Sequence, residues 1–262
     1  MSAVSERPST VRAFKADNLN VEVFADRSGL GAAAAHDVAA KMRKVIAEKG
    51  RVVMVFASAP SQDDFTTALA LEQGIDWSKV VAFHLDEYVG LPSDAPQAFG
   101  NYIRRHLLDA VKPGTVHFMN GNAADPEAEC RRYSELLEAN PLDIACIGIG
   151  ENGHIAFNDP HVADFSDPVK AKLVELDLRS REQQVHDGCF ASLDAVPTTA
   201  ITMTIPAIVS ANSVFCMVPA ATKAEAARAT VFDPVSTACP ATILRRHNCA
   251  TLYLDRDSGA RL

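Results

Sequence analysis

Two short stretches hold residues whose types and spacing could do chemistry. In Gly148-Ile-Gly-Glu-Asn-Gly-His-Ile-Ala-Phe-Asn-Asp-Pro160, His154 lies three residues after Glu151 and five before Asp159, with Asn152 close by. A bend there brings imidazole and carboxylate together. A carboxylate beside a histidine orients the ring and raises its proton affinity, as acid–base work near neutral pH requires. In Phe83-His-Leu-Asp-Glu-Tyr-Val-Gly-Leu-Pro92, the adjacent carboxylates Asp86 and Glu87 follow an apolar run, and Tyr88 adds a hydroxyl within reach of a polar substrate. Asp86 ends a strand that should be buried on both faces, and the resulting desolvation raises a carboxyl pKa toward values useful to a general base. The plain alternatives are a structural histidine and a loop carboxylate that caps a backbone amide.

The first stretch also spells G-x-G-x-x-G over Gly148, Gly150 and Gly153. A dinucleotide cradle needs a helix to start inside that pattern, so that its amides meet the pyrophosphate. Pro160 and Pro168 disfavour helix in the residues before them, and Asn-Asp-Pro is turn chemistry. The glycines are therefore read as shaping a loop that presents side chains, not as holding a nucleotide.

The elements that must position these loops are legible as short apolar runs alternating with alanine-rich amphipathic segments. Strands are expected at 21–24, 51–57, 79–85, 116–119, 142–149, 172–176, 200–205, 214–218 and 250–254. Helices are expected near 29–49, 62–73, 98–110, 125–139 and 220–230, with a shorter one near 241–246. Such alternation predicts one three-layer α/β/α Rossmann-like domain over residues 1–262, built on a mostly parallel sheet, with about 1–18 as a disordered tail. Ligands of such sheets bind outside the carboxyl ends of the strands. The segments after 51–57, 79–85, 142–149 and 214–218 should therefore share one rim.

The bulk properties exclude several classes. The chain has 262 residues, 48% of them hydrophobic, and a formal charge of −8, which argues against nucleic acid and anionic membrane as partners. No apolar run approaches the roughly 20 residues needed to span a bilayer, and the N-terminus lacks the apolar core of a secretory signal. The six cysteines form no C-x-x-C pair, which fits reduced, buried thiols in a cytoplasmic protein without a zinc site.

Four stretches, Phe83–Pro92, Gly148–Pro160, Asn120–Tyr133 and Val218–Ala229, resemble the glucosamine-6-phosphate deaminase family in order and spacing, and the similarity runs from about residue 20 to the end. The resemblance implies a deaminating aldose–ketose isomerase that converts glucosamine 6-phosphate to fructose 6-phosphate and ammonia, with no redox cofactor and no metal. By motif position, Asp86 would move a proton between C2 and C1 of the open-chain sugar and His154 would help open the ring. Asp159 matches the acidic partner of that histidine, shortened from the usual glutamate, and Glu151 and Asn152 flank it. Lys223 matches a phosphate-binding lysine at a helix start. Ser58, Ser61, Gln62, Glu87, Tyr88 and Gly150 complete the expected substrate-binding set. Members differ in oligomeric state, so a homo-oligomer stays open.

Three departures stand out. The family's glycine-rich phosphate loop, of the type T-G-S-T-P, is Ser58-Ala-Pro-Ser-Gln62 here, and Pro60 has no N–H to offer an anion. Helix N-capping is the plain alternative role for Ser58 and Ser61. The arginine that some members carry before the Val-Pro element has no clear match: Arg181 aligns elsewhere, and His186 and Asp187 fall near its place. The frequent aspartate before Gly-His is Asn152, which can orient an imidazole but cannot take up its charge. These departures keep alive the same chemistry on another amino sugar or amino-sugar phosphate. Further alternatives are a 6-phosphogluconolactonase-like hydrolase and a non-catalytic sugar-phosphate sensor, although too few residues precede the first strand for a helix-turn-helix.

Overall fold

The structure, a computed structural model, describes residues 6–262. The first five residues of the tail expected over 1–18 lie outside them. Along the chain come β1 (Arg12–Ala16), β2 (Leu19–Val23), α1 (Arg27–Lys49), β3 (Val52–Phe56), α2 (Asp63–Leu71), β4 (Val80–His84) and the short β5 (Asp86–Tyr88). Next, α3 (Phe99–Ile103) runs through a π turn (Arg104–Leu108) into α4 (Asp109–Val111), followed by β6 (Thr115–His117), α5 (Pro126–Ala139) and β7 (Ile144–Ile147). The last part holds β8 (Ala171–Glu175), α6 (Leu178–His186), β9 (Thr199–Met203), α7 (Ile205–Val209), β10 (Ser213–Val218), α8 (Ala224–Phe232) and β11 (Ala250–Leu254).

Eight strands form one sheet in the order β1-β2-β11-β10-β7-β3-β4-β6. Every neighbouring pair runs parallel except β1 with β2. The central strands are buried on both faces because consecutive residues point to opposite sides and each side meets helices. In β3, Val53 and Val55 join the core shared with α5, α7 and α8, whereas Val52, Met54 and Phe56 join the core shared with α1 and α2. The expected parallel α/β/α architecture is what the chain adopts, with two differences. Arg12–Ala16 pairs with β2 as an edge strand instead of belonging to a tail. The runs expected at 172–176 and 200–205 leave the main sheet: β8 and β9 form a separate antiparallel sheet with β5, in the order β5-β9-β8.

The two sheets meet at Leu85. Its N–H donates to Phe56 O at 3.2 Å within the parallel sheet, and its carbonyl accepts from Met203 N at 2.8 Å within the antiparallel one. The residue before it is held from α5, where the Tyr133 hydroxyl accepts from His84 N at 3.1 Å and donates to His84 O at 2.8 Å. On its far side the His84 ring accepts from Met119 N at 2.9 Å through Nε2. Burial lowers the His84 pKa to about 4, so the ring is neutral at working pH. Removing a partner from buried backbone groups leaves them unsatisfied, at a cost of about 1–3 kcal/mol. Tyr133→Phe is expected to lower unfolding stability by about that amount, read from the urea midpoint at unchanged m value.

Candidate active site

The loops after β3, β4, β7 and β10 do meet at one rim, around a shared open cavity. Ser58, Ser61 and Gln62 come from the first loop, Asp86 from the second, Gly148, Gly150 and His154 from the third, and Lys223 from the fourth. A fifth contributor is α6, whose Gln183 and Gln184 also line the cavity.

Asp86 is 7% exposed and begins β5, opposite Thr202 of β9. Burial, aided by the charge of the adjacent Glu87, raises its pKa well above the usual carboxylate range. It is a carboxylate that gains from taking up a proton, which is what a base facing a C–H bond requires.

His154 has a different surrounding. Gly153 turns the chain at φ 82°, a conformation cheap only for glycine. The imidazole then folds over Gly150, where a Cβ would lie 2.2 Å from Nε2. Around Nδ1 stand Asn152 Oδ1 at 2.7 Å, Ser180 Oγ at 2.9 Å and Asp159 Oδ1 at 3.0 Å. Asn152 Oδ1 also accepts from His154 N at 3.1 Å, and its Nδ2 donates to Asp159 Oδ1 at 2.8 Å. An amide oxygen can only accept, so Nδ1 carries the hydrogen and Nε2 is left as the basic nitrogen. Asp159 is fully buried. Burial alone would raise its pKa, but the hydrogen bond and charge of His154, with Asn152 and Ser180, outweigh burial and hold it well below the usual range.

At the opposite wall, Lys223 ends a 3₁₀ turn (Ala221–Lys223) and precedes α8. It is 4% exposed, and its Nζ has no partner among the described residues. Burial lowers its pKa, with Asp187 and Glu151 acting the other way. The turn is entered through Ala220 at φ 84°, a conformation costing about 1–3 kcal/mol for a residue with a Cβ. Its N–H is held by the Asp255 carboxylate at 2.9 Å. In the first loop, Ser58 Oγ and Gln62 Oε1 are likewise buried without partners. Neither serine caps α2, whose N-cap is Gln62 without a side-chain bond.

Three expected residues sit elsewhere. The Glu87 carboxylate accepts from the backbone N–H groups of Tyr88, Phe99 and Gly100 at 2.9, 3.0 and 2.8 Å. It pins the start of α3 and lines a neighbouring cleft, not this cavity. The Tyr88 ring packs among Phe99, Phe157 and Phe190 beneath the antiparallel sheet. Glu151 also turns away from the imidazole of His154: its Oε1 lies 3.9 Å from His186 Nδ1, and it lines a separate cleft with Arg179 and Glu225. Arg181 is a structural residue, donating to Leu193 O and Val196 O at 2.8 and 3.0 Å. Ser180, Gln183 and Gln184 were not anticipated, because α6 has no apolar stripe. Asp177 at its N-cap was the available signal. Among the described residues no group of three or more His, Cys, Asp or Glu side chains is arranged to hold a metal ion, and no helix is long and apolar enough to cross a membrane.

Residues 25–253 match the family model described as glucosamine-6-phosphate isomerases/6-phosphogluconolactonase. The chain belongs to this family. A glucosamine-6-phosphate deaminase of Exiguobacterium sibiricum is 38% identical over 72% of this chain and 73% of its own. One from Bacillus thuringiensis is 38% identical over 70% of this chain and 68% of its own. Among solved structures, a monomeric glucosamine-6-phosphate deaminase superposes with TM-score 0.85 at 31% identity, covering 92% of this chain and 99% of the other. A 6-phosphogluconolactonase from Shewanella baltica reaches TM-score 0.75 at 16% identity over 94% and 100% of the two chains, which speaks for the fold alone.

The buried Asp86 gives a stability test. Its folded pKa lies above its unfolded one, so its contribution is fully present in acid and is lost as pH rises through the folded value. Asp86→Asn is therefore expected to unfold at a higher temperature than the wild type at pH 8 and at a similar temperature at pH 4, in paired calorimetric scans.

Proposed function

We propose that the chain, working as one domain, is a deaminating aldose–ketose isomerase that converts glucosamine 6-phosphate to fructose 6-phosphate and ammonia. The observation that carries this reading is the placing of Asp86 and His154, two proton-transfer groups in unlike environments, on the wall of one cavity that also holds Lys223. The similarity to curated glucosamine-6-phosphate deaminases supports the substrate.

His154 Nε2 shuttles a proton to the ring oxygen of the pyranose, and the open-chain aldehyde forms as the C1 hydroxyl gives up its own. Asp86 then removes the proton from C2 of the ammonium aldehyde while a proton passes from nitrogen to O1, leaving a neutral C1–C2 enolamine. Asp86 returns its proton to C1, which places a C=N⁺ bond at C2. Water adds at C2 and ammonia leaves, giving the ketose. One base serves two adjacent carbons while a separate group handles ring opening, a division that two proton-transfer groups in unlike environments permit. Lys223 Nζ and the hydroxyls of Ser58 and Ser61 are the donors offered to the phosphate.

A second reading keeps the chemistry and changes the sugar. Gln62 Nε2 donates to Met217 O at 3.1 Å and to Ser61 Oγ at 3.0 Å. The Met217 carbonyl cannot donate, so the amide cannot be flipped without loss, and Oε1 remains in the cavity wall as an acceptor. An acceptor repels a phosphate dianion and suits a sugar hydroxyl, which motivates another amino sugar or amino-sugar phosphate.

Purified protein given glucosamine 6-phosphate, galactosamine 6-phosphate or glucosamine, with ammonia and ketose followed together, separates the two. Ammonia and ketose in equal amounts from glucosamine 6-phosphate are expected. Turnover of glucosamine alone would select the second reading, and ammonia from none would reject both. The pH profile carries its own sign: the working form of Asp86 is ionised and its pKa is raised, so kcat/KM should climb with pH through a value above the ordinary carboxylate range. Asp86→Asn should abolish ammonia release while leaving substrate binding measurable by calorimetry.

A further inference from the structure

We propose that Ser180 is a positioning residue of the His154–Asp159 pair, its hydroxyl extending a short carboxylate to imidazole Nδ1 and thereby joining Asn152 in fixing the ring's tautomer and the aim of Nε2. This rests on the reading that His154 transfers a proton during ring opening.

The direct contact from Asp159 Oδ1 to Nδ1 is 3.0 Å, longer than the 2.7 Å from Asn152. Asn152 is neutral and cannot balance an imidazolium. Ser180 stands between: its hydroxyl donates to Asp159 Oδ1 and its oxygen stands 2.9 Å from Nδ1. With its hydrogen directed at the carboxylate, the serine oxygen offers a lone pair to the Nδ1 hydrogen. When Nε2 takes up a proton, the charge on the ring is met by Asp159 both directly and through this bridge. A helical serine commonly bonds back to a carbonyl of its own helix, whereas Ser180 Oγ bonds to His154 Nδ1 and Asp159 Oδ1.

The helix α6 is tied to the pair twice over. The N–H of its N-cap, Asp177, donates to Asp159 Oδ2 at 3.3 Å, so both carboxylate oxygens are engaged from this segment. Ser180 is 1% exposed, so its hydroxyl faces the pair and not bulk solvent.

Four variants test the assignment: Ser180→Ala, Ser180→Thr, Ser180→Cys and the double change Ser180→Ala with Asp159→Glu. Ser180→Ala should lower kcat by on the order of tenfold to a hundredfold with KM little changed, and Ser180→Thr should retain kcat. In the double variant the added methylene replaces the lost hydroxyl in volume and reach, and kcat should recover by at least half the logarithmic loss. Histidine ¹⁵N NMR of the unliganded proteins gives a readout independent of turnover: the Nδ1–H tautomer of His154 dominates in the wild type and mixes with Nε2–H in Ser180→Ala. Ser180→Cys, which keeps the volume and weakens the donor, is read in parallel, so that failure of one variant to fold leaves the question answerable. Unchanged kcat and an unchanged tautomer in Ser180→Ala and Ser180→Cys would overturn the assignment. If the wild type releases no ammonia from any amino sugar, the proton-transfer reading fails, while the tautomer measurement still decides the role of Ser180 at the ring.

Discussion

The site depends on one junction, Leu85, where a strand buried on both faces leaves the parallel sheet and enters another. Its N–H belongs to the parallel sheet through Phe56 and its carbonyl to the antiparallel one through Met203. The next residue, Asp86, is thus delivered to the carboxyl end of the sheet with its backbone already fixed in β5 and its carboxylate at the edge of the cavity. A charge so poorly hydrated is costly, and the rigid hydrogen bonding on both sides of Leu85 is what keeps the segment from relaxing toward water. The Tyr133 hydroxyl and the neutral His84 ring brace the same segment from behind.

Around that junction the fold sorts four carboxylates by environment. Asp86 is desolvated, and its affinity for protons rises. Asp159, though more deeply buried by area, is met by an imidazole, an amide and a hydroxyl, and stays ionised. Glu87 is occupied by three backbone N–H groups at the start of α3, and Glu151 faces another cleft. Sequence neighbours such as Asp86 and Glu87 therefore end with different work, one in the cavity and one in the scaffold, because successive residues of a strand point to opposite faces.

The parallel core was legible because its strands are apolar on both faces: Val52–Phe56, Val80–His84 and Ser213–Val218 read as continuous hydrophobic runs. From those runs followed the shared rim and the meeting of its four loops. Edge and cover elements were harder. Arg12–Ala16 mixes charged and apolar residues without a period of two and resembles a tail, and periodicity does not say that 172–176 and 200–205 would pair with each other outside the main sheet. Helix α6 buries Ser180, Gln183 and Gln184, polar residues that leave no hydrophobic signal. The histidine's partner Asp159 could be inferred from its spacing in one loop, whereas Ser180 comes from another segment and only folding brings it there.

The central claim is that one buried carboxylate carries a proton between two adjacent carbons before ammonia leaves. Turnover of glucosamine 6-phosphate by the wild-type protein in D₂O, with the ketose product examined by ¹H and ¹³C NMR, tests it most directly. The account predicts a ketose in which one C1 position keeps the aldehyde hydrogen and the other, in one stereochemical sense, carries the hydrogen delivered by the base, as deuterium wherever it has exchanged with solvent, with ammonia released in equal amount. Ammonia released with the C2 hydrogen still on C2, or deuterium scattered over both C1 positions, would contradict it.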